Sequence, residues 1–128
     1  MAGYEKTVKL NGVDYELIAN AENSIVYETQ FGRDIFPDMW DFMDVFDDIN
    51  GKREFNPRKV KSAIGQRLFW TMARCADSKF PSFDKWIKEI EAFRIMDVLF
   101  DLMDLVKFNI KQDSDIKSKN AEAVENEN

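Results

Sequence analysis

The hydrophobic pattern changes its period twice along the chain. In "TVKL-NG-VDYEL" apolar and polar residues alternate around Asn11-Gly12, the pair favoured where a two-residue turn needs positive φ. This predicts a β-hairpin over about residues 5–19, with Val8, Leu10, Val13, Tyr15 and Leu17 sharing its buried positions. A hairpin alone is marginal in water, so this one requires an apolar surface beneath it.

From residue 20 the spacing becomes helical. Asn20 caps a first helix through "AENSIVYETQF", and Gly32 stops it. A second begins near Pro37, whose missing N–H is harmless in a first turn, and continues until "NGKREFN". A third runs from Pro57, behind the cap Asn56, to Ala76. Pro81-Ser82 opens a fourth, with Phe83, Trp86, Ile87 and Ile90 on one side. "MDVLFDLMDLVKFNI" is a fifth, with Val98, Leu102, Leu105 and Val106 as its apolar seam. After Lys111 periodicity ends and little remains to bury. The expected fold is α+β, mainly α: an N-terminal β-hairpin on a compact bundle of about five helices. One domain spans 1–110, followed by a disordered polar tail over 111–128.

"DIFPDMWDFMDVFDDI", residues 34–49, carries six aspartates and four aromatics. At about 100° per residue, Met39, Phe42, Met43, Val45, Phe46 and Ile49 share one arc. Asp41, Asp44, Asp47 and Asp48 share the other, giving an amphipathic helix with an acidic outer face. Asp34 and Asp38 lie at the first turn, where the helix dipole favours negative charge. Trp40 breaks the pattern, because it faces the Asp44 side and needs a tertiary neighbour or a partner. The segment "FDDINGKREFNP" has calcium-loop spacing at Asp48, Asn50 and Gly51. With Gly51 as the turn glycine, however, Phe46 and Pro57 fall where ligands belong. A membrane-surface helix would carry Lys and Arg on its polar face instead of Asp.

The third helix is the basic counterpart, with Arg58, Lys59, Lys61, Arg67 and Arg74 and no acid. These cations pair either with the aspartate face of the same chain or with an acidic patch on a neighbouring subunit, so a homo-oligomer is open. Val60, Ile64, Leu68, Met72 and Cys75 form its core stripe, which makes Cys75 a small buried hydrophobe. Trp70 lies off the stripe, one turn from Arg74, within reach of a cation–π contact.

Composition narrows the function. A net charge of −6 argues against nucleic acid and anionic membranes. The opening "MAGYEKTVKL" has no secretory h-region, no apolar run approaches a bilayer span, and a lone Cys allows no internal disulfide. These features predict a cytoplasmic protein. With no His, and no GxxxxGK[ST], GxGxxG or CxxC, there is no recognised catalytic constellation. A non-enzymatic binding protein without metal or cofactor is expected.

The order of short motifs resembles a family. The hairpin is followed by "YETQFGRDIF", then "LFWTMARCAD", "FPSFDKWIKEIEAF" and a final apolar helix. The chain is similar over about residues 5–110 to the tail assembly chaperones of long-tailed bacteriophages and prophages of Gram-positive bacteria. Phe31-Gly32-Arg33-Asp34 and the segment with Trp70, Ala73, Asp77 and Pro81 carry most of the likeness. The resemblance implies a chaperone that binds the long, apolar tape measure protein, keeps it soluble and helps recruit the major tail protein. Such a factor works in the host cytoplasm and is absent from the mature virion. Many members of that family are made in two lengths by a ribosomal frameshift, and the resemblance implies that this chain corresponds to the short product.

Candidate contact residues are Phe36, Trp40 and Met43 on the second helix, with Phe69, Trp70 and Arg74 on the third. Phe36 and Met43 adjoin the buried arc, so a core role competes for them, and Phe69 is balanced between the two. Trp40 and Trp70 stand off the core stripes and are the stronger candidates. The Gly32-Arg33-Asp34 turn is most simply a helix stop followed by a cap. The alternatives to a chaperone are a small structural tail or connector component and an unrelated cytosolic interaction regulator.

Overall fold

The computed structural model describes residues 2–110. The expected disordered tail lies outside the described residues. Strands β1 (Tyr4–Leu10) and β2 (Val13–Ala19) form the predicted hairpin, with Leu10 opposite Val13 and Tyr4 opposite Ala19. Asn11 and Gly12 take φ of 54° and 79°, as a two-residue turn of this hand demands. Val8, Leu10 and Leu17 are fully buried and Tyr15 half-buried. Val13, expected among the buried positions, is exposed: it lines an open cleft with Tyr15, Phe80 and Trp86, beside a turn that Asn11 ties to the Ala92 carbonyl at 2.7 Å.

Helix α1 (Glu22–Phe31) starts where the Asn20 side chain accepts the Glu22 amide. It ends at Gly32, left-handed at φ 69°, whose N–H returns to the Glu28 carbonyl. Helix α2 (Ile35–Met43) is capped by Asp34, which accepts the Phe36 amide. Here the structure departs from expectation, because α2 stops at Met43. Strands β3 (Phe46–Ile49) and β4 (Lys52–Phe55) follow as a second hairpin. Asn50 and Gly51 repeat the first turn, at φ 54° and 78°. The Asn56 amide closes its base on the Val45 carbonyl. Val45 stays in the core and Phe46 is half-buried, but Ile49 points into solvent. The Asp-Asn-Gly segment is thus a strand end and a tight turn.

Pro57–Lys59 form a single 3₁₀ turn whose cap is Asn56, after which α3 (Ser62–Ala76) begins. Helix α4 (Phe83–Glu89) is capped by Ser82. Helix α5 covers residues 95–110, with Val98, Leu102, Leu105 and Val106 buried as predicted.

Helix α3 is the axis of the molecule. It packs against β2, α1 and α2, and its buried residues include the consecutive run Leu68, Phe69, Trp70, Thr71, Met72 and Ala73. A run of six covers every direction around a helix, so this helix is enclosed and not one-sided. The hairpin bridges two helices. β2 lies on α3, while β1 meets α5 through Tyr4, which donates to Asp104 at 2.7 Å, and Lys6, 3.0 Å from both Asp101 and Asp104. The observed fold is α+β, mainly α, with the hairpin on a helical body.

Candidate docking surface

The orientation of α2 fixes the site. Its inner face presents Ile35, Met39 and Phe42 to the core, together with Asp38. The Asp38 carboxylate is the hub of a buried polar cluster. It accepts the Tyr27 hydroxyl at 2.5 Å and the Arg33 guanidinium at 2.7 Å, and Arg67 stands 3.6 Å away. Arg67 also donates to the Tyr27 oxygen at 2.9 Å. Helices α1, α2 and α3 therefore meet at one carboxylate. The basic segment does pair within the chain, through Arg67 of α3 here and through Lys59 of the 3₁₀ turn, which lies 2.6 Å from Asp47 and 3.6 Å from Asp44. The Lys59 hydrogen bond, helped by Asn56, holds Asp47 below the usual carboxylate range.

Burial, with the hydrogen bond to Asp38, pushes the Tyr27 phenol up to about 12. An unfolded tyrosine ionises near 10, so between about pH 10 and 12 only the unfolded chain loses this proton. The stabilisation is whole below pH 10 and is lost as pH rises through 12. Urea midpoints should therefore fall across that window in the natural chain more steeply than in Tyr27→Phe. At neutral pH that variant should already be about 1–3 kcal/mol less stable, because it strips one donor from a buried carboxylate.

With this face pinned inward, the opposite face of α2 is left in water. Phe36 is 51% exposed and Trp40 42% exposed. Their rings meet edge to face at 6.1 Å. Met43, one turn on, is half-buried and borders a cleft of about 340 Å³ with Phe46, Phe100 and Met103. The three residues form a line at i, i+4 and i+7. The core role that competed for Phe36 is not the one it has, since the N-cap at Asp34 sets the helical phase and turns it outward.

The third-helix candidates do not join this line. Phe69 is fully buried, stacked on Trp86 at 5.4 Å and edge-on to Tyr15 and Phe93. Trp70 is 4% exposed, its indole N–H donating to the Pro81 carbonyl at 2.9 Å. Both are corrected from candidate contacts to core, because α4 and the 77–82 connection cover the side of α3 that a one-sided helix would leave free. Arg74 reaches the Phe80 carbonyl and stands 6.0 Å over the Trp70 ring, the expected cation–π contact. It shares a cleft of about 270 Å³ with Ile25 and Val26 of α1, away from α2. Cys75 is half-buried, and burial pushes its thiol up to about 11.

Sequence reasoning missed Met96 and Phe100, both exposed on α5. The signal was present: they are four residues apart and out of phase with the buried seam. Among the described residues no three His, Cys, Asp or Glu side chains gather as a metal site needs. No described helix is long and apolar enough to cross a membrane. No family model, curated protein or solved structure matches the chain.

Proposed function

We propose that this chain is a non-enzymatic tail assembly chaperone. It holds a tape measure protein in solution, helps recruit the major tail protein, acts in the host cytoplasm and leaves before the particle is complete. The observation that supports this is the solvent-exposed Phe36–Trp40 pair on α2. Aromatic pairs of this kind anchor protein interfaces when a partner covers them, and they favour aggregation when none does. The order of sequence motifs supplies the client's identity, and the pair supplies a place to hold it.

Co-expression tests the proposal. The natural chain should raise the soluble fraction of a tape measure protein several-fold, and Phe36→Ser with Trp40→Ser should abolish most of that gain. Both positions are exposed, so the double variant should keep its stability to within about 1 kcal/mol. A client no more soluble with the natural chain than without it overturns the function. Finding the chain in purified mature tails makes it a structural component instead.

A further inference from the structure

We infer that the seat for the client is the groove between α2 and α5, and that its occupant is a single amphipathic helix with Lys or Arg flanking its apolar stripe. This rests on the protein-binding function proposed above. Two clefts define the groove. At one end Phe36 and Met39 share about 250 Å³ with Asn109 near the end of α5, and Asn20, Asn23 and Ser24 at the start of α1 close it off. At the other, Met43 shares about 340 Å³ with Phe100 and Met103. The two helices therefore run antiparallel, and Trp40, edge-on to Phe36, lies along α2 between Phe36 and Met43 on the exposed margin outside both clefts. From Phe36 to Met43 the wall is ~10 Å long, two turns at 1.5 Å per residue. That length matches a helix inserting anchors at i, i+3 or i+4, and i+7. Phe100, 53% exposed and 5.5 Å from the Phe55 ring, extends the apolar floor at the far end.

Charge selects the occupant. Asp41 follows Trp40 on the exposed side of α2; the Lys61 ammonium donates to its backbone carbonyl at 3.2 Å, but among the described residues no cation stands within ion-pair distance of its carboxylate. Asp34 is likewise without a cation there, and Asp44 shares Lys59 with the closer Asp47. At the Phe100 end, Lys6 already pairs with Asp101 and Asp104, and Arg53 and Lys107 add further positive charge, so the basic flank belongs on the Asp34–Asp44 side. A second copy of this chain would bring the same aspartates to the rim and be repelled.

A synthetic helix of about four turns, with Leu at i, i+4 and i+7 and Lys beside them, is titrated calorimetrically into the full chain. A twin with Glu for Lys is the control. The Lys helix should bind at least about tenfold tighter than the Glu helix. Asp41→Lys should remove most of that preference. Trp40→Ser with Phe100→Ser should cost about tenfold or more in affinity, as loss of buried anchors does. Ile25→Ser, on the α1 surface outside the groove, should change nothing. Equal binding of the two helices, or unchanged affinity in the Trp40/Phe100 variant, overturns the inference. So does a Trp40-dependent dimer in sedimentation, which makes the occupant a second copy, or magnetisation transfer from residues 111–128 into the groove. A Lys helix held here by a chain that fails to solubilise a tape measure protein overturns the chaperone function and leaves the groove standing. A soluble client with no helix in the groove does the reverse.

Discussion

Trp70→Ala should lower the free energy of unfolding by about 3–5 kcal/mol. That is a large share of the roughly 5–15 kcal/mol that holds a domain together. The indole is almost sealed, edge-on to Phe31 at 5.9 Å and Phe83 at 6.0 Å, and bonded to the Pro81 carbonyl. Truncation empties a cavity at the junction of α1, α3 and α4. It also leaves a carbonyl without its donor and the Arg74 guanidinium without the ring beneath it. Trp40→Ala, by contrast, removes a ring that water already reaches and should cost less than about 1 kcal/mol. Urea titrations followed by circular dichroism separate the two. Trp70→Phe should fall between them, keeping most of the packing and losing the N–H. Equal midpoints for the two alanine variants would place Trp70 at the surface, contrary to its contacts.

The two indoles look alike in the sequence, each off an apolar stripe, and the structure divides them. The difference is what covers the second side of each helix. Nothing described covers the outer face of α2, whereas α3 is enclosed by a strand and by helices before and after it. Helical phase tells which residues share a face but not how many faces are packed, because that depends on long-range neighbours. The local signals were legible. Asn11-Gly12, Gly32, Asn56 and Ser82 each act at the turn or cap their chemistry predicts. Asn50-Gly51 carried the same hairpin signal as Asn11-Gly12. It was masked because Met39, Phe42, Val45, Phe46 and Ile49 also fit a 3.6-residue period. Strands of only four residues offer too short an alternation to compete with that.

Asp38 was the least legible residue, and it carries the second large effect. In the sequence it is one acid among six, placed in a first turn where any carboxylate is welcome. In the structure its side chain is 1% exposed, while Arg67 is 21% and Arg33 55% exposed. Asp38→Ala should cost about 3 kcal/mol. That is the lower end for breaking a buried charge pair, because Arg33 can return to water while Tyr27 and Arg67 stay largely covered. Asp38→Asn should cost less, since the amide oxygen can still accept from Tyr27. Adding Arg67→Met to Asp38→Asn should recover part of the loss, giving a coupling of about 1 kcal/mol or more in the double-mutant cycle. Strict additivity would mean the two groups do not depend on each other. The cluster also sets the rotation of α2, with Asp38 tied inward and Phe36 and Trp40 consequently held out. Asp38→Asn, assayed where it is still folded, should therefore weaken capture of the Lys helix even though residue 38 lies on the inner face of α2. Unchanged affinity in that variant would mean that the capping bond from Asp34 to the Phe36 amide alone is enough to aim the aromatic pair.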